Sequence, residues 1–398
     1  VRLGISALAA SNTTGLGRLA RTYLLALAAA APDWEMHAYF RSPADLKLLV
    51  DECDVRHKEM LDVLIPHFLA LPVGGRLAAE EWDIPKQFGA LNLDAYLGLD
   101  FTLPARAMAP REFTVLPDML PVTRPGTLGW RARWLYQRGI QRAIERRAGL
   151  ICISQQTRQR FQEYAAGSGC PTWVVYPALS PRLEQYAAVD PPDLTRLQVM
   201  GSLNQTGVLR SYLLSVGTAG RRKNTGLLVD IHREIVLQGD YAGSLVLVGG
   251  DGSFHSAPVT GDFAFQAVGS LVNQGSRAAA VYDVGRVTDY ELSLLYRGAD
   301  LYVSLSVEEG FGYPVLEALT YGTPALVAAG SSMTEIAPGG IATTELERER
   351  CRRTLLSTLS ALPVLRREVQ AFDYTRFSLE RAGRELVAAL SGTTVEQP

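Results

Sequence analysis

Cysteine, histidine and net charge are what this chain has least of. Four cysteines, Cys53, Cys152, Cys170 and Cys351, are scattered over 398 residues, and none forms a C-x-x-C pair. Cys53 and His57 stand four apart with no second pair to complete a zinc set. The cysteines therefore read as reduced thiols, which points to a cytoplasmic protein. Five histidines, His37, His57, His67, His232 and His255, show no paired spacing, so no metal-ligating set is expected. There is no Asp-x-Asp to hold a metal against a diphosphate, no G-x-x-x-x-G-K-[ST], no H-E-x-x-H and no G-x-S-x-G. A net charge of −2 gives no global electrostatic footprint for nucleic acid. The apolar run "LLALAAAAP" (Leu24 to Pro32) falls far short of the ~20 residues that span a bilayer. Arg18 and Arg21 precede it in the same pattern, so it reads as a helix buried against a sheet and not as a signal peptide.

What is present is an ordinary globular composition, 47% hydrophobic and 20% charged, with material for two cores. Strand patterns alternate with helix patterns almost throughout. "RLGISAL", "WEMHAYF", "AYLGL", "FTVL", "GLICIS" and "WVVYP" read as strands in the first half. "SYLLSVG", "SLVLVG", "AAVYDVG", "DLYVSLS" and "PALVAA" do so in the second. Such alternation predicts an α/β chain with parallel sheets covered by helices. Periodicity is weakest from Pro177 to Arg210, a stretch rich in Pro, Gly, Asn and Gln. The reading is a doubly wound domain over 1–190, a linker over 191–210 and a second doubly wound domain over 211–373. The two would face each other, with ligands at the carboxyl ends of their strands and so in the cleft. From Tyr374 to Leu390 an amphipathic helix is expected to return to the first domain, with a tail after Ser391.

The most informative stretch is "EEGFGYPVLEALTYGTP", Glu308 to Pro324. It follows the strand "DLYVSLS". Gly310 and Gly312 permit a tight turn, Pro314 suits the first helical position, and Gly322 with Pro324 stops the helix. A helix start offers N–H groups and a partial positive charge to a phosphate. Glu309 and Glu317 suit hydroxyls instead, whose hydrogen bonds they accept. A ligand carrying both diphosphate and sugar hydroxyls satisfies the whole element.

Three other stretches carry competing readings. "SVGTAGRRKNTGLLV" (Ser215 to Val229) crowds Arg221, Arg222 and Lys223 at a strand's carboxyl end. They would neutralise a leaving diphosphate, or form only a solvated turn. In "SNTTGLGRLARTYL" (Ser11 to Leu24), Gly15 and Gly17 open a helix. No acid sits where NAD would need one, so a phosphate-approaching loop and a plain helix start remain. From Trp130 to Arg147, "WRARWLYQRGIQRAIERR" holds six arginines against one glutamate. It is either a helix with solvated arginines whose Trp134, Ile140 and Ile144 face the core, or a peripheral contact with the inner face of a membrane.

Together these residues resemble the retaining glycosyltransferases of family four. "EGFGYPVLEAL" is similar to that family's E-x7-E signature, "VGTAGRRKN" to its basic diphosphate loop, and "TGLGRLARTYLLAL" to its amino-terminal glycine loop. "LVLVGG", "VYDVGRVTDYELSLLYRGADLYVS", "GTPALVAAGSSMTEIA" and "ICISQQTRQRF" followed by "VVYP" agree. The resemblance implies the GT-B fold, with two facing Rossmann-like domains. It implies retaining, metal-independent hexosyl transfer from a nucleotide-diphosphate sugar to a glycan or lipid-linked acceptor, as in polysaccharide biosynthesis. Under it Glu309 contacts donor-sugar hydroxyls, Phe311 and Gly312 meet the phosphates through their backbone, and Glu317 holds the ribose. Arg222 and Lys223 neutralise the leaving diphosphate. Gly17, Val315 and Leu316 join the donor set, and Gly15 and Asp118 the sugar or acceptor pocket. Two positions depart from the family: Pro117 precedes Asp118 where His-Asp is usual, and Thr218 follows Gly217 where arginine is common. The rival expectations are a nucleotide-sugar-binding protein with lost or altered catalysis, and a GT-B phosphorylase or epimerase.

Overall fold

The computed structural model describes residues 1–12, 14–53, 58–69, 75–124, 129–188, 211–217, 222–249, 269–270, 280–337 and 339–393. It divides into two units, Val1–Arg182 with Tyr374–Pro398, and Leu183–Asp373. The division lies ahead of the 191–210 stretch read as the linker, which is outside the described residues. Part of the aperiodic stretch before it is ordered as the helix Pro181–Ala188.

The first unit holds strands β1 (Arg2–Ser6), β2 (Glu35–Phe40), β3 (Leu64–Phe68), β4 (Ala95–Gly98), β5 (Arg111–Leu116), β6 (Gly149–Cys152) and β7 (Thr172–Val174). They form a parallel sheet in the order β3-β2-β1-β4-β5-β6-β7. The central segments are buried on both faces, as helix-covered parallel strands must be: Leu3, Ile5, Met36, Ala38 and Leu97 on one face, and Tyr39 and Tyr96 with His37 on the other.

The final helix begins at Leu379, later than the expected Tyr374, because Ser378 caps it by accepting the Arg381 N–H at 3.2 Å. That helix, Leu379–Ser391, lies along the helix Gly15–Ala30. Gly383 makes the approach close: a Cβ there would sit 2.3 Å from the Ala26 carbonyl oxygen. Arg111 donates to the Leu390 carbonyl at 2.8 Å and closes the far end.

Strand β3 escaped the sequence reading. Its segment, "LIPHF", carries Pro66 and leaves Ile65 exposed, the pattern of an edge strand. Its register beside β2 sets Tyr39 opposite His67, and the fold brings His37 Nδ1 to 3.0 Å from His67 Nε2. Two histidines thirty positions apart are thus a spatial pair, contrary to the spacing argument. His37 Nε2 meets Glu35 Oε1 at 2.8 Å. Burial, and then repulsion from His37, hold His67 below its ordinary range against an upward pull from a hydrogen bond with Gln87. The unfolded chain therefore binds more protons at this position than the folded chain does. Stability is expected to be full above about pH 6.5, the ordinary histidine value, and to fall as pH drops below it. Urea midpoints between pH 5 and 8 test this: His67→Gln should flatten the acid side of the profile, and an unchanged profile contradicts it.

The second unit holds β8 (Tyr212–Val216), β9 (Ser244–Val248), β10 (Gly269–Ser270), β11 (Ala280–Asp283), β12 (Leu301–Ser304), β13 (Ala325–Ala328) and β14 (Ile341–Thr344). Their order is β10-β11-β9-β8-β12-β13-β14, parallel except for the short β10. Leu213, Leu245, Leu301, Val303 and Leu326 form its core with Leu228, Ile231 and Ile235 of the helix Thr225–Leu237 and with Cys351 and Leu355. Each such leucine or isoleucine contributes about 1.5–3 kcal/mol by leaving water. Among the described residues no helix is long and apolar enough to cross a membrane.

Candidate functional site

In the second sheet the chain runs outward from β8 to β9, then returns to lay β12 on the other side of β8. Strands β8 and β12 therefore flank the point where strand order reverses, the place where open α/β sheets bind ligands at their carboxyl ends. The basic turn leaves β8 and the glutamate turn leaves β12. Sheet order alone makes neighbours of residues far apart in sequence.

The two turns are tied together. Val307 N–H donates to the Arg222 carbonyl at 2.9 Å, and Arg222 Nη1 donates to the Glu308 carbonyl at 3.2 Å. Asn224 takes a left-handed conformation, φ 52°, to start the helix Thr225–Leu237. Thr218 and Arg221 lie outside the described residues.

Glu309 holds both remaining cations. Its Oε2 is 2.7 Å from Arg222 Nη1, and its Oε1 is 2.7 Å from Lys223 Nζ. Burial works to raise the Glu309 pKa. Lys223, Arg222 and a hydrogen bond from Ser306 outweigh it and keep the carboxyl below its ordinary range. Ser332 Oγ fixes the turn by donating to the Glu309 carbonyl at 2.7 Å. Lys223 lies against Gly217, where a Cβ would come within 2.9 Å of Nζ, so the glycine makes room for the ammonium.

Gly312 then opens the helix Tyr313–Thr320 at φ 110°, a conformation that favours glycine; a Cβ there would also meet Met333 Cγ at 2.6 Å. The helix start so positioned follows closely on Glu309, the residue that pairs with Arg222 and Lys223, and anions are favoured at such an end. Phe311 is buried, which leaves only its backbone for the phosphate contact expected of it.

Val315 and Leu316, expected in the donor set, turn away from the helix's exposed side. Their side chains are fully buried, and their N–H groups already donate to the Gly312 carbonyl at 2.9 and 3.3 Å. Helical phase turns both into the core. Glu317 is buried too, and its Oε2 accepts the Tyr296 hydroxyl at 2.8 Å. Tyr296 belongs to the helix Asp289–Gly298 and drew no attention in the sequence; nor did Ser306 and Ser332. A lone serine or tyrosine in an apolar run carries no motif.

The other candidates lie in the first unit. Gly15 is exposed and opens its helix. Gly17 is buried, and a Cβ there would fall 1.6 Å from the Asn12 carbonyl oxygen, so this loop closes only around glycine. Asp118 follows β5 after Pro117, and its Oδ1 accepts the Leu120 N–H at 2.9 Å. In the helix Trp130–Glu145 the buried residues are Tyr136, Gly139, Ile140 and Ala143. Trp134, expected in the core, is 47% exposed, with Arg138 over its ring. Arg138 and Arg142 pair with Glu81 at 2.6 and 2.8 Å, and Arg146 pairs with Glu112 at 3.2 Å, so half the arginines of this stretch are not simply solvated.

Residues 209–341 match the family model described as "Glycosyl transferases group 1". The O-antigen chain mannosyltransferase B of Escherichia coli is 29% identical over 127 residues, 32% of this chain and 31% of that protein. The matched stretch thus spans under a third of the curated relative's length. Among solved structures, HepE of Anabaena in complex with UDP-glucose superposes with a TM-score of 0.65 at 15% identity, over 98% of this chain and 99% of that one. WaaG, a glycosyltransferase involved in lipopolysaccharide biosynthesis, gives 0.63 at 14%, over 98% and 100%. Sucrose-phosphate synthase from Thermosynechococcus elongatus gives 0.63 at 17%, over 98% of each chain. The fold is that of GT-B glycosyltransferases, two Rossmann-like α/β units built on parallel sheets.

Proposed function

We propose that this chain is a retaining, metal-independent glycosyltransferase that binds a nucleotide-diphosphate sugar at the carboxyl ends of β8 and β12. It passes the sugar to a glycan or lipid-linked acceptor. The observation that carries the reading is Glu309 set between Arg222 and Lys223 beside the glycine-opened helix start. The group 1 domain match over the same residues supports it. The bond that breaks joins the sugar to the diphosphate, and its electron pair leaves with the diphosphate. In this reading Arg222, Lys223 and the helix start neutralise that growing charge. Glu309 accepts hydrogen bonds from the sugar's hydroxyls, and Glu317 is assigned to the ribose. Retention of configuration comes from the family resemblance alone.

A thermal-shift panel of UDP-, GDP- and ADP-sugars tests the donor site. UDP-glucose, seen in the HepE complex, and a mannose-carrying donor, suggested by the Escherichia coli relative, are the first members. A donor at about 100 times its Kd stabilises the fold by about 2.7 kcal/mol. Failure of every member to raise the Tm contradicts the reading. Donor turnover that stays at zero with all acceptors leaves a binding protein, and turnover that requires inorganic phosphate makes it a phosphorylase.

The exposed Trp130 and Trp134, each under an arginine, favour an additional contact with an anionic membrane surface. Co-sedimentation with vesicles containing phosphatidylglycerol is expected, and should weaken in Trp130→Ser/Trp134→Ser. Equal sedimentation of both proteins contradicts it.

A further inference from the structure

We infer that Glu309 is an internal counter-anion that competes with the diphosphate for Arg222 and Lys223, and so limits how tightly the spent nucleotide is held. The inference rests on the donor-site reading above and adds a release device to it. Each Glu309 carboxylate oxygen engages one cation at 2.7 Å. The carboxylate is held there by more than those two charges. Ser332 anchors its backbone at 2.7 Å, and the Val307 to Arg222 hydrogen bond locks the two turns together. Only 15% of the Lys223 side chain is exposed, against Gly217, so its ammonium has little room to turn away to water.

A diphosphate entering this site must draw both cations off the carboxylate. In doing so it frees the Glu309 lone pairs, which are then open to a sugar hydroxyl. Donor binding thus exchanges one set of charge-assisted contacts for two: phosphate on the cations and hydroxyls on the acid. Once the sugar has left, only the first set remains. Glu309 then has no hydroxyl partner and reclaims the cations, which favours departure of the nucleoside diphosphate. Because carboxylate and phosphate contend for the same donors, the effect on the product is opposite in sign to the effect on transfer.

The test is calorimetric titration of wild type, Glu309→Gln and Glu309→Asp with UDP, GDP and ADP at one ionic strength. Glutamine keeps the shape and the hydrogen-bonding reach but removes the charge. Its best diphosphate should bind about tenfold or more tighter than in wild type, the scale of one charge-assisted contact. Aspartate keeps the charge but is one methylene too short to meet both cations, and should give a smaller gain in the same direction. It remains informative if the glutamine variant fails to fold. Raising the salt should shrink the wild-type-to-Gln gap. A diphosphate that binds equally or more weakly in both variants overturns the counter-anion role while leaving the donor site standing. If no protein of the series binds any of the three, the donor-site reading itself falls, and this inference with it.

Discussion

Glu309→Ala is expected to lower kcat/KM for sugar transfer by roughly 10²–10³-fold while the chain stays folded. That is the scale of losing one preorganised electrostatic contact in a site shielded from water. Alanine removes the acceptor for the sugar's hydroxyls and the group that holds Arg222 and Lys223 in place. Arg222, with 37% of its side chain exposed, can turn to solvent, and the turn itself is held by contacts from Ser332 and Val307, so the cost to the fold is confined to the Lys223 ammonium left without its carboxylate and reads as a lowered Tm. Steady-state kinetics with circular dichroism melting checks both halves. Transfer within threefold of wild type would remove Glu309 from the chemistry. Glu317→Ala is a poorer probe. It empties a buried position and strands the Tyr296 hydroxyl, and an unsatisfied buried group alone costs about 1–3 kcal/mol. Lost activity there would not separate ribose binding from a loosened core.

The contrast between the two glutamates marks where sequence reasoning stopped. The strand, glycine turn and helix start from Leu301 to Thr320 were legible because each rests on local chemistry: an apolar run, Gly312 at positive φ, a proline at the helix start. The side on which each helical residue falls was not. Val315 and Leu316 read as part of the motif they adjoin, while the helix turns their side chains inward. The meeting of Glu309 with Arg222 and Lys223 depends on β12 returning to lie beside β8. No local pattern encodes that order, and the expectation came through family resemblance. The His37–His67 contact depends on edge strand β3, which its own proline disguised. Trp134 was misassigned because a tryptophan on an arginine-rich helix satisfies a buried face and an arginine-covered surface equally well until the neighbouring Glu81 is seen to draw Arg138 across it.

Pro117 raises the same issue in the first unit. It brings no donor, acceptor or titratable group to the end of β5. The carboxylate next to it is already engaged, because Asp118 Oδ1 accepts the Leu120 N–H. Nothing at this position supplies the imidazole usual in the resembling family. The chemistry proposed here therefore rests more heavily on the cations of the second unit.

Lys223→Met should accordingly show a second large loss, about 10²–10³-fold and chiefly in kcat, because the charge it meets grows as the diphosphate leaves. Methionine keeps an unbranched apolar stem of similar reach and deletes only the charge. Arg222→Gln should cost less. Its guanidinium is the more exposed of the two and is shared with the Glu308 carbonyl, whereas the Lys223 ammonium is packed against Gly217, where fewer waters screen it. If these side chains do the work of a divalent ion, wild-type activity should persist in excess EDTA. Added manganese should also fail to rescue Lys223→Met, since among the described residues no group of three or more His, Cys, Asp or Glu could hold a metal, and Glu309 is still held by Arg222. Activity that vanishes with EDTA and returns with manganese would show that a metal, and not Lys223, carries the leaving charge. A Lys223→Met enzyme with unchanged kcat would show that the ammonium serves only to hold Glu309.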